Sequence, residues 1–337
     1  MRFGILCLPR SVEDVALARL AEEVGFHFIG IPDSQSVFRE MYVMAALCAQ
    51  ATSRVRLGPA VTNPITRHPA VTASAMATLD EVSGGRAFLG LGSGDSAILN
   101  LGERPASLAT IRGYVETVRA LLARQEVEYA GKRVRVVWPE RSVPIYISAE
   151  GPKTLEMAGE IADGVIINPG LQPELLRDAV ARIHAGVQRA GRDPAALDVS
   201  LFVRINVCDD LAAGLDEIKM ELASNAHHVF RFTFEGKHVP PELVEPIRRV
   251  QRAYQPAAHE RVGGANAAAL DDPVLLRYLA ERFAIVGPPE VCVEKLRAIA
   301  AVPGISSVCF SGLLHDRVRL IRLLGEQVLP HLAQPAQ

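Results

Sequence analysis

Four short segments of the chain hold residues that could carry out chemistry. Each holds a carboxylate, amide, histidine or lysine with glycine or proline inside or directly before the segment, and such combinations bind anions or move protons. Each also follows an apolar run that predicts a β-strand. The segments are 33–35, 62–68, 92–96 and 148–154.

Asp95 is the first candidate catalytic residue. It follows Gly92 and Gly94, and glycines let backbone N–H groups approach a flat or phosphorylated ligand closely. A carboxylate beneath a hydrophobic ligand can have a raised pKa and act as a general acid or base. A helix N-cap or a tight turn would use the same residues. Asp33 is the second candidate catalytic carboxylate, and Ser34 beside it is a candidate substrate contact.

A candidate anion site lies at residues 148–154. Ser148 ends a predicted strand, and Gly151 and Pro152 open a predicted helix whose free N–H groups and dipole attract an anion. Lys153 adds a formal positive charge, so phosphate is a natural ligand. The other interpretation is that Ser148 and its neighbours only cap the helix.

The segment Thr62-Asn63-Pro64 is a candidate ligand-facing bend. Asn63-Pro64 is an X–Pro bond at a strand end, where a cis peptide or a bulge would push the backbone toward the ligand. His68 follows at the start of the next predicted helix.

Alternating strands and helices must position these segments. The pattern predicts a single α/β domain over residues 1–337, a (β/α)₈ TIM barrel with two insertions, although an open sheet has a similar pattern. The insertions are a hairpin at about 126–140 and an irregular region at 226–283 that forms a lid or shapes the substrate pocket. All four segments then lie at the carboxyl-end rim. The predicted strands are 3–8, 28–31, 55–61, 86–91, 144–148, 164–168, 199–207 and 307–310.

Composition excludes several classes of function. The formal net charge is −2 and no Lys/Arg block occurs, so we expect no nucleic-acid partner. No apolar run reaches the ~18 residues of a membrane span, and no secretory leader opens the chain, so a cytoplasmic protein is expected. The five cysteines lack metal-ligand spacing, so we expect no metal site.

Two blocks of sequence resemble a known family. They are TNPITRHPAVTASAMATLDEVSGGRAFLGLGSGDSA, preceded by IPDS, and ISAEGPKTLEMAGEIADGVI. Both resemble the luciferase-like flavin-dependent oxidoreductase superfamily, and most closely its methylenetetrahydromethanopterin reductase-like members, which use the deazaflavin coenzyme F420. The resemblance extends over essentially the whole chain, except that the region 226–283 is not matched in detail.

The resemblance implies a TIM barrel with the flavin or deazaflavin ring across its carboxyl-end rim. The strand-three bulge of the family, often a cis peptide, corresponds to Thr62, Asn63 and Pro64. Its phosphate site corresponds to Ser148, Gly151, Pro152 and Lys153. Asp95 stands where dehydrogenases of the family carry a glutamate proton donor. Asp33-Ser34 replaces their Asp-His pair, so oxidation of an alcohol by histidine is not expected.

The resemblance leaves the cofactor and the reaction open. Coenzyme F420 would support hydride transfer to or from a small organic substrate, and the Gly-Pro-Lys and TNPITRHP segments favour it. Reduced FMN would support oxygenation in a two-component monooxygenase that needs a separate flavin reductase. A non-catalytic cofactor-binding homologue is the alternative of another class, but the intact glycines and Asp95 favour an enzyme.

Several roles remain alternatives at the level of sequence. His68, with Arg67, either contacts the ring edge or caps a helix. His259 either lines the substrate pocket or lies in a solvated loop. A homodimer or larger homo-oligomer is expected, because relatives pair through barrel helices and the second predicted helix has an apolar face that could meet a partner, although burial in the chain's own core is the more common outcome for such a face. That face comprises Met41, Tyr42, Met44, Ala45 and Leu47.

Overall fold

The computed structural model describes residues 1–258, 261–312, 314 and 316–332. The predicted substrate residue His259 lies outside the described residues. Within them, eleven strands occur in chain order: β1 (Arg2–Leu6), β2 (Phe28–Ile31), β3 (Arg56–Pro59), β4 (Leu89–Leu91), β5 (Val127–Tyr129), β6 (Lys132–Val134), β7 (Ile145–Ala149), β8 (Gly164–Ile167), β9 (Asp198–Val207), β10 (Ala284–Gly287) and β11 (Ser307–Ser311).

Eight parallel strands form a barrel, as the sequence predicts. The hydrogen-bonded order is β3-β2-β1-β11-β9-β8-β7-β4. Two isolated bridges, Leu57 with Ala87 and Thr62 with Leu91, join the β3 and β4 segments and close the ring. The strands are almost continuously apolar because helices cover the outer face and side chains fill the interior.

Helices surround the barrel and begin at recognisable signals. Six of them start with proline, whose missing N–H costs nothing in a first turn. The helices are α1 (Val15–Glu23), α2 (Met41–Ala51), α3 (Pro69–Ser83), α4 (Ser96–Leu99), α5 (Leu108–Leu122), α6 (Pro152–Ile161), α7 (Pro173–Arg189), α8 (Leu211–Phe230), α9 (Pro241–Ala253), α10 (Ala265–Ala268), α11 (Pro273–Phe283), α12 (Pro289–Ala300) and α13 (Arg317–Leu323).

The region 226–283 is mainly helical, so the prediction of an irregular segment was wrong. Helix α8 continues to Phe230, and α9, α10 and α11 follow it. The apolar periodicity of α8 fades before Ala226, because the helix buries polar residues, Glu221, Ser224 and Asn225, near its carboxyl end. A ninth parallel strand, β10, was also missed. It is short and pairs only with the carboxyl-terminal half of β9.

The hairpin predicted at 126–140 contains the antiparallel pair β5 and β6. Residues Ala130 and Gly131 at its turn have positive φ angles of 51° and 73°. No helix in the described part of the chain is long and apolar enough to cross a membrane. The same residues contain no cluster of three or more His, Cys, Asp or Glu side chains that could hold a metal ion.

Helices α6 and α7 pack through glycines. A Cβ atom on Gly159 would lie 2.1 Å from the carbonyl oxygen of Ile183, and one on Gly186 would lie 1.9 Å from that of Glu156. The two backbones therefore approach more closely than any other residue type would allow. This contact fixes α6, and the amino end of α6 borders the candidate site.

We predict that Gly186→Ala destabilises the protein by about 1–3 kcal/mol or more, because the new methyl group must displace backbone. Gly113→Ala is the matched control. Gly113 also lies within a helix, α5, but nothing stands within 4 Å of its added Cβ. The control should be neutral or more stable by up to about 1 kcal/mol. Denaturant unfolding of both variants measures the difference, and equal stabilities would contradict the close-contact explanation.

Candidate active site

A cavity of about 790 Å³ opens at the carboxyl ends of the barrel strands. This size is typical of a small-molecule site. The loops after β2, β3, β4 and β7 line it, together with the end of α8 and the segment that follows. The structure thus brings together most of the residues singled out from sequence: Asp33, Ser34, Thr62, Asn63, Gly92, Gly94, Asp95, Ser148, Gly151, Pro152 and Lys153.

The cavity continues down the barrel interior. At the amino ends of the strands its lining includes Arg56, Tyr146 and Asp198. The Tyr146 hydroxyl donates to Asp198 over 2.7 Å, and Arg56 Nη1 donates to that hydroxyl over 3.3 Å. Arg2 also pairs with Asp198, with 2.7 Å between Nη2 and Oδ2. This polar network lies at the amino-terminal end of the barrel interior.

The bend after β3 differs from the prediction. The cis peptide lies between Ala60 and Val61, two residues before the predicted Asn63-Pro64 region. Asn63 instead forms a local turn, because its Oδ1 accepts from the N–H groups of Ile65 and Thr66 at 2.9 and 3.0 Å. Pro64 is buried but is not part of the cavity lining. Thr62 and Asn63 do line the cavity.

His68 lies on the outside of the barrel, so the interpretation as a ring contact is corrected to that of a helix cap. It is exposed, and its Nδ1 accepts from the N–H of Ala70 at the start of α3, over 3.2 Å. Its ring packs edge-on against Tyr129 of the hairpin at a centroid distance of 5.0 Å. A residue immediately before Pro69 at a helix start is in the N-cap position, and a polar side chain there satisfies a free backbone donor.

Asp33 is buried and engaged by other side chains. Thr62 Oγ1 donates to Asp33 Oδ2 over 2.6 Å, and both ends of the Arg67 guanidinium bind the carboxylate. Arg67 Nη2 also pairs with Glu40 over 2.8 Å. The carboxylate therefore ties the β2 loop to the β3 loop, and it also lines the cavity. Its catalytic role stays a prediction. Ser34 accepts a hydrogen bond from Ser96 over 2.9 Å and ties the same loop to α4.

The glycines after β4 allow close packing against β3. A Cβ on Gly92 would lie 2.9 Å from Val61 Cγ2. Gly94 has φ of +95°, a conformation that L side chains rarely adopt. Together they turn the chain so that Asp95 faces the cavity.

Asp95 lies in a cluster of charged groups. Arg231 Nη1 donates to its Oδ1 over 2.7 Å, and Arg231 Nη2 donates to the carbonyl of Gly94 over 3.1 Å. His228 Nδ1 lies 3.4 Å from Asp95 Oδ2, and His228 Nε2 lies 3.7 Å from Glu150 Oε1. His227 Nε2 is 3.7 Å from Asp95 Oδ1. One imidazole thus stands between carboxylates from two different loops.

The sequence suggested a raised pKa for Asp95, but the charged groups around it lower this pKa. Burial by itself would raise the pKa of Asp95, but the charge of His228, the close approach of both histidines and the charge of Arg231 hold it well below its usual range. For His228, burial would lower the pKa, but the charges of Glu150 and Asp95 raise it above its usual value. Asp95 is therefore a carboxylate near neutral pH, and His228 is the group that favours its protonated form.

The amino end of α6 fits an anion. Gly151 is its N-cap and supplies no side-chain acceptor for the free N–H groups of the first turn. Residues 151–154 all line the cavity, and the exposed Lys153 stands among them. Free backbone donors, the helix dipole and one lysine are the features that bind phosphate.

Glu150 and Arg231 of the charged cluster were assigned no catalytic or ligand-binding role from the sequence, and His228 was expected only as one residue of the pocket-shaping region. Glu150 was treated only as a helix cap. His228 and Arg231 are three residues apart, a spacing that places two side chains on the same side of a helix. That signal was lost because the helical pattern was judged to end before Phe230.

Asp95→Asn should lower the free energy of unfolding by about 1–3 kcal/mol near pH 5, because Arg231 and His228 lose their counter-charge. The lowered pKa of Asp95 means that its contribution is present above its ordinary pKa of 3.8 and is lost as the pH falls through the lowered value. The raised pKa of His228 adds a contribution that is present below 6.5 and is lost as the pH rises through the raised value.

The stability difference between wild type and Asp95→Asn should therefore be largest between about pH 4 and 6.5 and shrink on both sides. Denaturant unfolding at a series of pH values measures it. A second aspartate variant, Asp178→Asn on α7, serves as control, because the partner of Asp178 is a half-exposed neighbour on the same helix, Arg182. If the stability difference between wild type and Asp95→Asn stayed constant from pH 3 to 8, the description of Asp95, His228 and Arg231 as a charged cluster would be contradicted.

Comparisons with known proteins agree with this arrangement. Residues 1–306 match the family model described as luciferase-like monooxygenase. The chain is 32% identical to the 5,10-methylenetetrahydromethanopterin reductase of Methanolobus tindarius, covering 98% of this chain and 100% of that protein. It is 29% identical to the F420-dependent glucose-6-phosphate dehydrogenase of Nakamurella multipartita, covering 96% and 93% of the two chains.

A solved structure extends the similarity to the fold. The coenzyme F420-dependent tetrahydromethanopterin reductase of Methanopyrus kandleri matches with a TM-score of 0.78 and 29% identity, over 98% of this chain and 99% of that one. The barrel and the resemblance inferred from sequence are both confirmed. With a family model that spans most of its length and relatives that match it from end to end, the chain belongs to the luciferase-like monooxygenase family.

Proposed function

We propose that this chain is an oxidoreductase that binds coenzyme F420 and transfers a hydride between it and a small organic substrate. The proposal rests mainly on one cavity. Its lining includes both the amino end of α6, which suits a phosphate, and the buried charged cluster around Asp95, which can hold a proton. Full-length similarity to reductases and dehydrogenases that are named for F420 supports this cofactor.

The residues present fit the deazaflavin. Lys153 and the first turn of α6 would hold its phosphate, and the loops after β3 and β4 would border its flat ring. When bound, the deazaflavin supplies a carbon that donates or accepts a hydride. The chain itself positions the substrate, excludes water with the segment after α8, and holds a proton in the Asp95 cluster.

The substrate pocket is proposed to lie against the segment that follows α8. Phe232 and Thr233 line the cavity there, and Phe232 has 66% of its surface exposed. Its guanidinium neighbour Arg231 stacks over the Phe232 ring at 4.6 Å. A flat substrate could pack on this ring. The residue after Asp33 is Ser34 rather than a histidine, and Arg67 binds the Asp33 carboxylate. Both features favour reduction of a C=N, C=O or activated C=C bond over histidine-assisted oxidation of an alcohol.

Purified protein should bind F420 and quench its fluorescence, and Lys153→Ala should weaken binding about tenfold or more, because a charge-assisted contact to phosphate contributes about 1.5–3 kcal/mol. Lys295→Ala is the matched control, because Lys295 is exposed on α12 and does not line the cavity. The same titration is run with reduced and oxidised FMN. Tight binding of reduced FMN alone would instead support the two-component monooxygenase, which needs a flavin reductase, and binding of neither would overturn the proposal.

Two compounds test the direction of hydride transfer, and each is the one after which a relative is named. Reduced F420 is mixed with 5,10-methylenetetrahydromethanopterin, and oxidised F420 with glucose 6-phosphate, and the F420 absorbance is followed. We expect turnover with the first. Binding of F420 with no turnover of these or of other carbonyl and imine substrates would favour the non-catalytic homologue.

A homodimer is proposed to form through α2 and α3. Each helix exposes large apolar side chains beside its neighbour: Val43 (59%) and Leu47 (39%) on α2, and Val71 (56%) and Val82 (40%) on α3. Of the face predicted from sequence, Met41, Met44 and Ala45 are buried within the chain itself, which is the more common outcome for such a face. Adjacent exposed apolar residues mark a protein contact.

The double change Val43→Asp, Leu47→Asp should convert the dimer to a monomer, because two charges would be buried without partners in the contact. Val274→Asp is the matched control, since Val274 is 65% exposed on the distant helix α11. Analytical ultracentrifugation gives the mass of each. A monomeric wild type, or a dimer that survives the double change, would contradict this interface.

The cytoplasm is the proposed compartment. All five cysteines are free thiols, and four of them are buried. Free buried thiols are usual in reducing compartments, where disulfides are rare.

A further inference from the structure

His228 lines the cavity and is the most accessible side chain of the charged cluster. The accessible fraction of the side chain is 33% for His228, against 18% for Asp95, 15% for His227 and 12% for Arg231. Glu150, with 16%, is also more enclosed. A group that exchanges a proton with a substrate must reach it, so access alone favours His228 over its neighbours.

Asp95 is poorly suited to be the proton donor. Its Oδ1 accepts a charge-assisted hydrogen bond from Arg231, and its Oδ2 faces His228. A proton placed on this carboxyl would break both attractions. Burial, which would favour the neutral acid, is outweighed, and the pKa of Asp95 lies well below its usual range. Asp95 is thus a fixed anion, and its effect on the substrate must pass through another group.

His227 is excluded by its packing. Its ring stacks on Tyr254 at a centroid distance of 4.2 Å and an interplanar angle of 10°. Both of its ring nitrogens are buried. The neighbouring imidazole, His228, has only Nδ1 buried, against Asp95. Its other nitrogen, Nε2, is therefore the one that a substrate can approach, on the side of Glu150.

We propose that His228, and not Asp95, is the catalytic residue that gives the proton to the substrate, with Asp95 and Glu150 as positioning residues that keep its imidazole charged. This inference rests on the proposed function, because it needs a hydride acceptor in the cavity. During reduction, the substrate carbon gains the hydride and its two electrons from reduced F420. The adjoining atom gains the proton from His228 Nε2. The Nε2–H bond breaks and the imidazolium becomes neutral. It then takes up a proton from solvent, which balances the proton that the cofactor would release on oxidation.

The charges that face His228 come from three elements. Asp95 on the β4 loop and Glu150 on the β7 loop attract the imidazolium, whereas Arg231 on the segment after α8 repels it. Lys237, buried nearby, has a lowered pKa because burial disfavours its charge. The two carboxylates outweigh Arg231 and the cost of burial, and the pKa of His228 is raised. The rate of reduction should therefore be constant at low pH and fall as the pH rises through this raised pKa.

The first test observes the proton directly. NMR of protein labelled with ¹⁵N in histidine follows the imidazole signals from pH 5 to 9, and His228→Gln identifies the His228 signal. We expect the wild-type signal to remain that of an imidazolium above pH 6.5, and Asp95→Asn to lower the pKa of His228, because one of the two carboxylates that raise it is removed. A neutral imidazole at pH 6.5 in the wild type would overturn the inference, whatever the substrate proves to be.

The second test measures kcat and KM against pH with the substrate that the F420 assay identifies. His228→Gln should lower kcat by about 10²- to 10⁴-fold and remove the high-pH decline, with the Kd for F420 unchanged. Asp95→Asn should keep the decline but move it to lower pH. His184→Gln, on the outer helix α7, is the matched histidine control and should leave the profile unchanged.

The two tests separate the possible failures. A wild type that does not bind F420 overturns the proposed function. A wild type that binds and turns over F420, but whose high-pH decline persists in His228→Gln and vanishes in Asp95→Asn, leaves the proposed function intact and assigns the proton to Asp95 instead.

Discussion

The closure of the barrel between β3 and β4 is the constraint on which the site depends. Four backbone hydrogen bonds join the two segments, and they pair Leu57 with 86–88 and Thr62 with 90–92. The approach is possible only because glycine stands at the contact: a Cβ on Gly58 would lie 1.8 Å from the carbonyl oxygen of Phe88, and one on Gly90 2.3 Å from that of Pro59. This seam turns the loops after both strands into one rim.

The second constraint is charge balance inside the cavity. Asp95 and Glu150 come from loops of different strands, and they face His228 and Arg231 from the end of α8. Buried ions are tolerated only in such partnered groups. The arrangement couples the long region between β9 and β10 to the barrel rim, so that a segment outside the eight-stranded core supplies part of the site.

Local sequence patterns predicted the eight barrel strands and the four loops at the rim, because parallel strands are continuously apolar and glycine or proline marks their ends. These patterns failed where polar residues are buried, because apolar residues then no longer mark the buried face of a helix. Helix α8 buries Glu221, which accepts a hydrogen bond from Ser311 over 2.8 Å, and lies 3.3 Å from Arg204. Because polar residues face the core near its carboxyl end, a hydrophobic pattern does not show that this helix continues to Phe230, and the side chains of His228 and Arg231 were not placed on one helix end.

The sequence by itself determined the barrel, the family resemblance and the presence of Asp95 and Lys153 at strand ends, because these follow from local periodicity and from short motifs. Only the tertiary structure decided how each group behaves. Asp33 is held by Arg67, 34 residues away, and Asp95 is held by Arg231, 136 residues away. The pKa of a buried group depends on the charges within a few ångströms of it, and those neighbours are brought together by the fold rather than by their spacing along the chain.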